Sequence, residues 1–303
     1  MSRTNGIYPV LTSPFVAMNV VYSELFCHQS KEDHVLRRDE LTDRFRELHV
    51  LSKPVVMPNP WDIGSAKVMA NMGAKVLATT SSGYGFTQGL TDGGQMTRDL
   101  ALQHATEICA AVDVPVNGDF ENGFGDSPET VAETVQLAAE AGLAGVSIED
   151  TAFSGTDSYP FELALARIEA AVIAAGAAGI VLTARADGWQ LRNYDQAEAL
   201  RRCQAFAQAG ADVIYAPLVD ADTTRALAAT GTPVNILAAG DMRDLTTKQM
   251  GALGASRISI GGGLARVTQQ VVIEGTQAML ERGDFTILKG AASEAEIEAL
   301  LNR

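Results

Sequence analysis

Eight short runs rich in β-branched residues recur along the chain, each followed by a helical stretch, and this alternation restricts the architecture more than any other feature. The runs are "PVVMPN", "KVLATTS", "VPVNGDF", "GVSIED", "GIVLTARAD", "DVIYAP", "PVNILA" and "RISIGG". Such alternation predicts a parallel sheet covered by helices, and eight strands close a (β/α)8 barrel, the TIM-barrel architecture. Glycines in "NMGAKV", "EAGLAGV", "AAGAAGI", "QAGADV" and "ALGASRI" stand where a helix should stop before the next strand. A doubly wound open sheet is the main competitor, but no G-x-G-x-x-G follows the first strand.

Gly and Pro fall singly at element ends between Met57 and Gly290, so no flexible linker divides the chain. The expected organisation is an N-terminal extension over residues 1–38 and one barrel with a helical tail over 39–303. Residues 7–26 are apolar but contain two prolines and a glutamate and lack a basic lead. Neither a signal peptide nor a membrane span is expected there. In the tail, Ile297, Leu300 and Leu301 share one helical face, which should dock on something.

Side chains alternate along a strand, so parity sorts them between lumen and helix layer. In "VPVNGDFE" the apolar set Val116, Gly118 and Phe120 belongs outside, leaving Asn117, Asp119 and Glu121 inside. The same test turns Ser147 and Glu149 inward, then Val181, Thr183, Arg185 and Asp187, then Asn235. Asp119, Glu121 and Glu149 should thus converge with Arg185 at the carboxyl ends of the strands, where barrel enzymes keep their chemistry.

Clustered carboxylates repel and are costly to desolvate, so Asp119, Glu121 and Glu149 need a compensating cation. An all-oxygen shell suits Mg²⁺ or Mn²⁺ and not Zn²⁺, and the four histidines form no ligand-spaced pair. The alternative is that these acids cap helices or pair with lysines. With a formal charge of −14 the chain is a poor nucleic-acid binder, and a small anionic substrate would need an arginine or a divalent cation to be held. Cys27, Cys109 and Cys203 are widely spaced without a C-x-x-C pair, which fits a reducing, cytoplasmic setting.

With these residues in view the sequence resembles the isocitrate lyase and phosphoenolpyruvate mutase superfamily, from about Asp39 to about Leu288. The motifs, in order, are "PNPWDIGSAKVM", "TTSSGYGF", "GLTDGG", "DFENGFG", "SIED", "TARAD", and "VNIL" before "GASRISIGGGLAR". The resemblance implies a barrel whose last helix is exchanged between subunits, usually in a homotetramer of paired dimers. It implies Mg²⁺ held by Asp119 and Glu121, largely through water, with support from Asp92 and Glu149. It implies a 2-oxo carboxylate bound by Arg185, by Ser82 and Gly83, and by Asn235. The implied chemistry is carbon–carbon cleavage or its reverse next to a 2-oxo acid, through an enolpyruvate-like intermediate.

Two departures bear on that expectation. The isocitrate and methylisocitrate lyases carry a Lys-Lys-Cys-Gly-His gate where this chain reads "EDTAFSGTDSYPF". Its general acid would be Tyr159, Tyr84, a serine, a threonine or water. Glutamate at Glu121 replaces the aspartate of those lyases, a longer arm that should still reach a water-mediated shell. "SIGGGLAR" reads either as a phosphate cradle or as tight packing where the last helix leaves the barrel. Asp62 is expected to cap a helix and Trp61 to pack, while Trp189 is expected to shape the pocket; Arg243 and Arg257 have no assigned role. The leading expectation is a Mg²⁺-dependent lyase of the methylisocitrate lyase type. Oxaloacetate decarboxylation, phosphonopyruvate hydrolysis or mutation, and a catalytically silent metal- and anion-binding barrel are the alternatives.

Overall fold

All eight expected strands form, and they pair in parallel in the order β1-β8-β7-β6-β5-β4-β3-β2. The computed structural model describes residues 37–93, 95–152 and 157–302. The expected N-terminal arm, Cys27 included, lies outside them apart from its last residues, which begin the first helix. From Arg38 onward the chain is one compact unit.

After helix α1 (37–47), β1 (Val55–Met57), α2 (Ile63–Asn71), β2 (Leu77–Ala78), α3 (Ser81–Thr87) and α4 (Arg98–Ala111) follow. Next come β3 (Val116–Asp119), α5 (Pro128–Glu140), β4 (Gly145–Glu149), α6 (Phe161–Ala178), β5 (Val181–Arg185) and α7 (Gln196–Gln208). The last elements are β6 (Val213–Tyr215), α8 (Ala221–Ala228), β7 (Val234–Leu237), α9 (Thr247–Ala252), β8 (Ala255–Ser259), α10 (Gly263–Arg282) and α11 (Glu294–Leu301). Between β1 and β2 the barrel closes through one backbone bond, Ala78 N to Pro58 O at 3.1 Å. Asn59 reinforces that seam: its Nδ2 donates to Thr79 O, and its Oδ1 accepts from the N–H groups of Ile260 and Gly261.

Helix stops follow the glycines. Gly73, Gly142, Gly179, Gly210 and Gly254 all have φ between 75° and 102°, a backbone state that other residues adopt only under strain. Helix starts are capped by side-chain oxygens; Ser127 accepts from Thr130 N ahead of a Pro at the first position of α5. Asp62 caps α2 and accepts from Ser65 N at 2.7 Å, as its sequence position suggested.

Parity holds through the sheet. Val116, Val146, Ile148 and Leu182 face outward into one core with Ile108, Val135, Ile168 and Phe206 from the helices. Each such buried side chain contributes roughly 2 kcal/mol. Cys203 is fully buried in this layer and Cys109 packs against it, so both are packing residues. The inner lower layer is a second apolar cluster of Met57, Val76, Ala78, Ala144, Val181 and Val213, stoppered by Phe45 of α1. Gly145 makes room for that stopper, since a Cβ there would stand 2.7 Å from the Phe45 ring.

α11 docks on α2, where Lys67 Nζ and Asn71 Nδ2 donate to the Leu301 and Leu300 carbonyls. α10 instead leaves Leu264, Val267, Val271, Val272, Ile273 and Leu280 exposed. No helix among the described residues is long and apolar enough to cross a membrane.

Candidate active site

The lower apolar layer closes one end of the barrel, and the polar residues above it line a cavity of about 410 Å³ at the carboxyl ends of the strands. Five carboxylates line it, Asp92, Asp119, Glu121, Glu149 and Asp187, against three arginines, Arg185, Arg257 and Arg266. Fully ionised, that leaves two uncompensated negative charges.

Arg185 organises the centre. Its Nη1 donates to Asp119 Oδ1 at 2.7 Å, Nη2 stands 3.2 Å from Glu149 Oε2, and Nε and Nη2 grip both oxygens of Asp187 at 3.1 and 2.6 Å. The β4–β5 register places Glu149 directly opposite Arg185. Burial works against the guanidinium charge, yet Asp187, Glu149 and Asp119 together raise the Arg185 pKa well above its ordinary value. Burial followed by the Asp187 charge pushes Glu149 well up, and burial followed by the Asp119 charge raises Asp92 at the rim. Repulsion among the acids is thus carried by one cation.

Asp119 is held from a second side. Its Oδ2 accepts from both the N–H and the hydroxyl of Ser81 at 3.0 and 2.9 Å, and its own N–H donates to Thr79 Oγ1. Glu121 is buried, lines the cavity and takes φ 45°, a left-handed state of the kind retained at functional sites. Behind it, Arg167 of α6 donates to the carbonyls of Asn122, Gly125 and Asp126 and pins the loop.

The structure therefore brings together Asp92, Asp119, Glu121, Glu149, Arg185, Ser82 and Asn235 on one cavity. It does not bring the two tyrosines there. Tyr84 stacks on His104 with ring centroids 3.9 Å apart, on the helix side of α3. Tyr159 donates to Asp126 Oδ1 at 2.6 Å and accepts from Asn122, under the Arg167 guanidinium; burial and the Asp126 bond push its pKa up to about 12. Gly83 is a close-packing point, 2.6 Å from Thr80 Cγ2 for any added Cβ, and its N–H faces the Thr80 cap. Trp189 donates to Leu218 O, leaving Gln190 and Leu191 to line the pocket. Strand parity does not reach these four, which stand at helix and loop positions.

Sequence reasoning missed Ser81, Tyr215, Ser259 and Asn59. Tyr215 and Ser259 were within reach of the parity test; they stand opposite Arg185 and Leu237 in the strand register. Ser81 carried a weaker signal, as the residue immediately after the Thr80 cap of α3.

Every carboxylate donor is oxygen, and no histidine or cysteine lines the cavity. Among the described residues no three such side chains already converge as direct metal ligands. A carboxylate lining without histidine or cysteine is of the kind that suits a hard cation and not a soft one.

Comparison with known proteins agrees with the fold and the motifs. The phosphoenolpyruvate phosphomutase family model matches residues 45–280. The 2,3-dimethylmalate lyase of Eubacterium barkeri is 31% identical over 57% of this chain and 61% of its own. The 2-methylisocitrate lyase of Bacillus subtilis is 27% identical over 66% of this chain and 67% of its own. A crystal structure from Burkholderia cenocepacia J2315, provisionally described as a lyase/mutase, is 39% identical, covers 88% of this chain and 97% of its own, and superposes with a TM-score of 0.83. The chain belongs to the phosphoenolpyruvate phosphomutase family, within the isocitrate lyase/PEP mutase superfamily of carbon–carbon lyases and mutases.

Proposed function

We propose that this enzyme is a Mg²⁺-dependent lyase that cleaves or forms a carbon–carbon bond next to a 2-oxo carboxylate, of the methylisocitrate lyase type. The observation that carries the reading is the Arg185 centre: one guanidinium facing a cavity, ringed by Asp119, Glu149 and Asp187, with Ser81 fixing Asp119. Asp119 and Glu121, supported by Asp92 and Glu149, would hold the ion. A divalent cation, when bound, supplies Lewis acidity toward a 2-oxo carboxylate.

The remaining work falls to the chain. Arg185 presents its guanidinium charge to the substrate carboxylate and fixes its direction. The Ser81 hydroxyl keeps Asp119 turned toward the cavity, and Ser82 and Asn235 offer polar contacts along its wall. Neither Tyr84 nor Tyr159 lines the cavity, so the proton delivered to the leaving carbon comes from a lining hydroxyl, such as Thr151, or from water.

A second copy of the chain completes the reading. The exposed apolar face of α10 matches in character a groove lined by Pro54, Val56, Met69 and Met72, where Val56 of β1 is 46% exposed although it belongs to a strand. Exchange of α10 between subunits would cover both surfaces, giving a homodimer or tetramer. The proposed setting is cytoplasmic.

The test is release of a 2-oxo acid, coupled to a dehydrogenase, with Mg²⁺ and with chelator: pyruvate from 2-methylisocitrate, 2-methylmalate-type acids, oxaloacetate and phosphonopyruvate, and glyoxylate from isocitrate. Turnover that needs Mg²⁺ and disappears in Asp119→Ala supports a lyase. Release from oxaloacetate or phosphonopyruvate alone would move the assignment to decarboxylation or carbon–phosphorus cleavage. No turnover with oxalate still binding would establish a silent barrel.

A further inference from the structure

Arg257 points from β8 into the barrel, below Ser259, and is only 2% exposed. Its Nε donates to Asn235 Oδ1 at 2.9 Å and its Nη2 to Thr183 Oγ1 at 3.0 Å. Both acceptors are neutral, and Nη1 has no partner among the described residues. The charges felt at Arg257 are those of Tyr215 and of a second cation, Arg185, and burial draws its pKa down to about 9. Of the other largely buried arginines, Arg185 and Arg202 each have a carboxylate in ion-pair contact, and Arg167 spends its donors on three backbone carbonyls. Arg257 has neither a carboxylate nor a backbone carbonyl as acceptor.

A guanidinium taken out of water without a counter-charge is costly, and charges buried in this way are ordinarily paired. Arg257 lines the same cavity as Arg185, so an anion bound there can supply the missing charge. The floor there is not a closed polar network, since Asn117 Oδ1 on the same lining also lacks a partner. Asn235, held by Arg257 and donating to Ser259 Oγ at 2.9 Å, is already fixed in direction.

We propose that Arg257 is a second anion anchor, which takes the far carboxylate of a 2-oxo dicarboxylic acid whose near carboxylate is held at Arg185. The proposal deepens the 2-oxo acid reading above and rests on it. It makes the enzyme select dianions over monoanions of equal length by a charge on the cavity floor. Arg266 at the rim is the competing anchor, and it is exposed.

The experiment is calorimetric binding, with Mg²⁺ present, of two matched pairs: 2-oxobutyrate against oxaloacetate, and 2-oxovalerate against 2-oxoglutarate. Each pair differs in a terminal methyl against a terminal carboxylate. The wild type should prefer the dianion of at least one pair by about 30-fold or more, as for a desolvated charge pair. Arg257→Met should abolish that preference, Arg257→Lys should keep part of it, and Arg266→Met should leave it. Arg257→Met should also melt at or above the wild-type temperature without ligand, because an unpaired buried charge has been removed. A preference that survives in Arg257→Met, or is lost in Arg266→Met instead, overturns the proposal. So does a large fall in melting temperature of the unliganded Arg257→Met protein with the preference retained in Arg257→Lys and Arg257→Met alike, which would make the residue purely structural. Oxalate tests the near end alone: its binding to Arg257→Met shows that the 2-oxo acid reading stands whatever happens to the far anchor.

Discussion

Arg185 Nη1 lies 2.7 Å from Asp119 Oδ1, joining the carboxyl ends of β5 and β3 across the mouth of the barrel. Asp119→Asn keeps the shape and removes the charge. It is expected to lower kcat/KM on the active substrate by about 1,000-fold or more, the scale of losing a preorganised electrostatic group. Melting temperature should be read beside it, because an Asn whose oxygen accepts from Ser81 turns its NH2 toward the Arg185 Nη1 donor and loses the ion pair.

Arg185→Lys should not rescue. Arg185 uses both Nη atoms and Nε toward three acids, a fork that a single ammonium cannot reproduce. Steady-state kinetics are expected to show at least a ~100-fold fall in kcat/KM, with KM rising because the planar guanidinium that orients the substrate carboxylate is lost.

His104 should make stability fall in mild acid. It is buried against Tyr84 and donates to the Trp61 backbone, and burial lowers its pKa from 6.5 to about 4. The folded state therefore binds its proton less readily than the unfolded chain. Its contribution is intact above pH 6.5 and is lost as pH drops toward 4, by about 2 kcal/mol at pH 5. Urea unfolding at pH 7.5 and pH 5 should show a smaller drop in His104→Phe than in wild type; an equal drop would assign the acid sensitivity elsewhere, His49 included.

Gly145→Val should destabilise through packing. The added Cβ meets Phe45, the Val181 carbonyl and Asn117 Oδ1 at 3.0 Å or closer, all of them buried. The expected cost is about 2–4 kcal/mol in chemical unfolding, and Phe45→Ala in the same background should recover part of it.

The α10 face should govern assembly. Val271→Glu with Val272→Glu puts two charges on its exposed apolar surface. Light scattering after gel filtration should find a dimer or tetramer for wild type and a monomer for the double variant. A wild-type monomer would remove the helix exchange from the account.

How far the sequence could be read follows from which rule governs each residue. Strand parity is strict, so Asp119, Glu149, Arg185 and Asn235 could be placed in the lumen from two-residue alternation alone, and glycine stops located the helix ends. Tyr84 and Tyr159 sit on a helix and in a loop, where facing depends on tertiary packing against His104 and Arg167; their hydroxyl chemistry said nothing about direction. Ser81 and Ser82 are adjacent, and only the geometry of the α3 start distinguishes the one that binds Asp119. Arg257 was visible as a charge in a strand, but its missing counter-ion is a property of three dimensions.

The central claim is that this cavity holds a divalent cation and a 2-oxo carboxylate together. Titration of oxalate into the protein with Mg²⁺, and again with chelator, tests it most directly. The account predicts saturable binding with Mg²⁺ that falls by at least tenfold both with chelator and in Asp119→Asn. Oxalate binding that is the same with and without the metal, or absent in both, would contradict it.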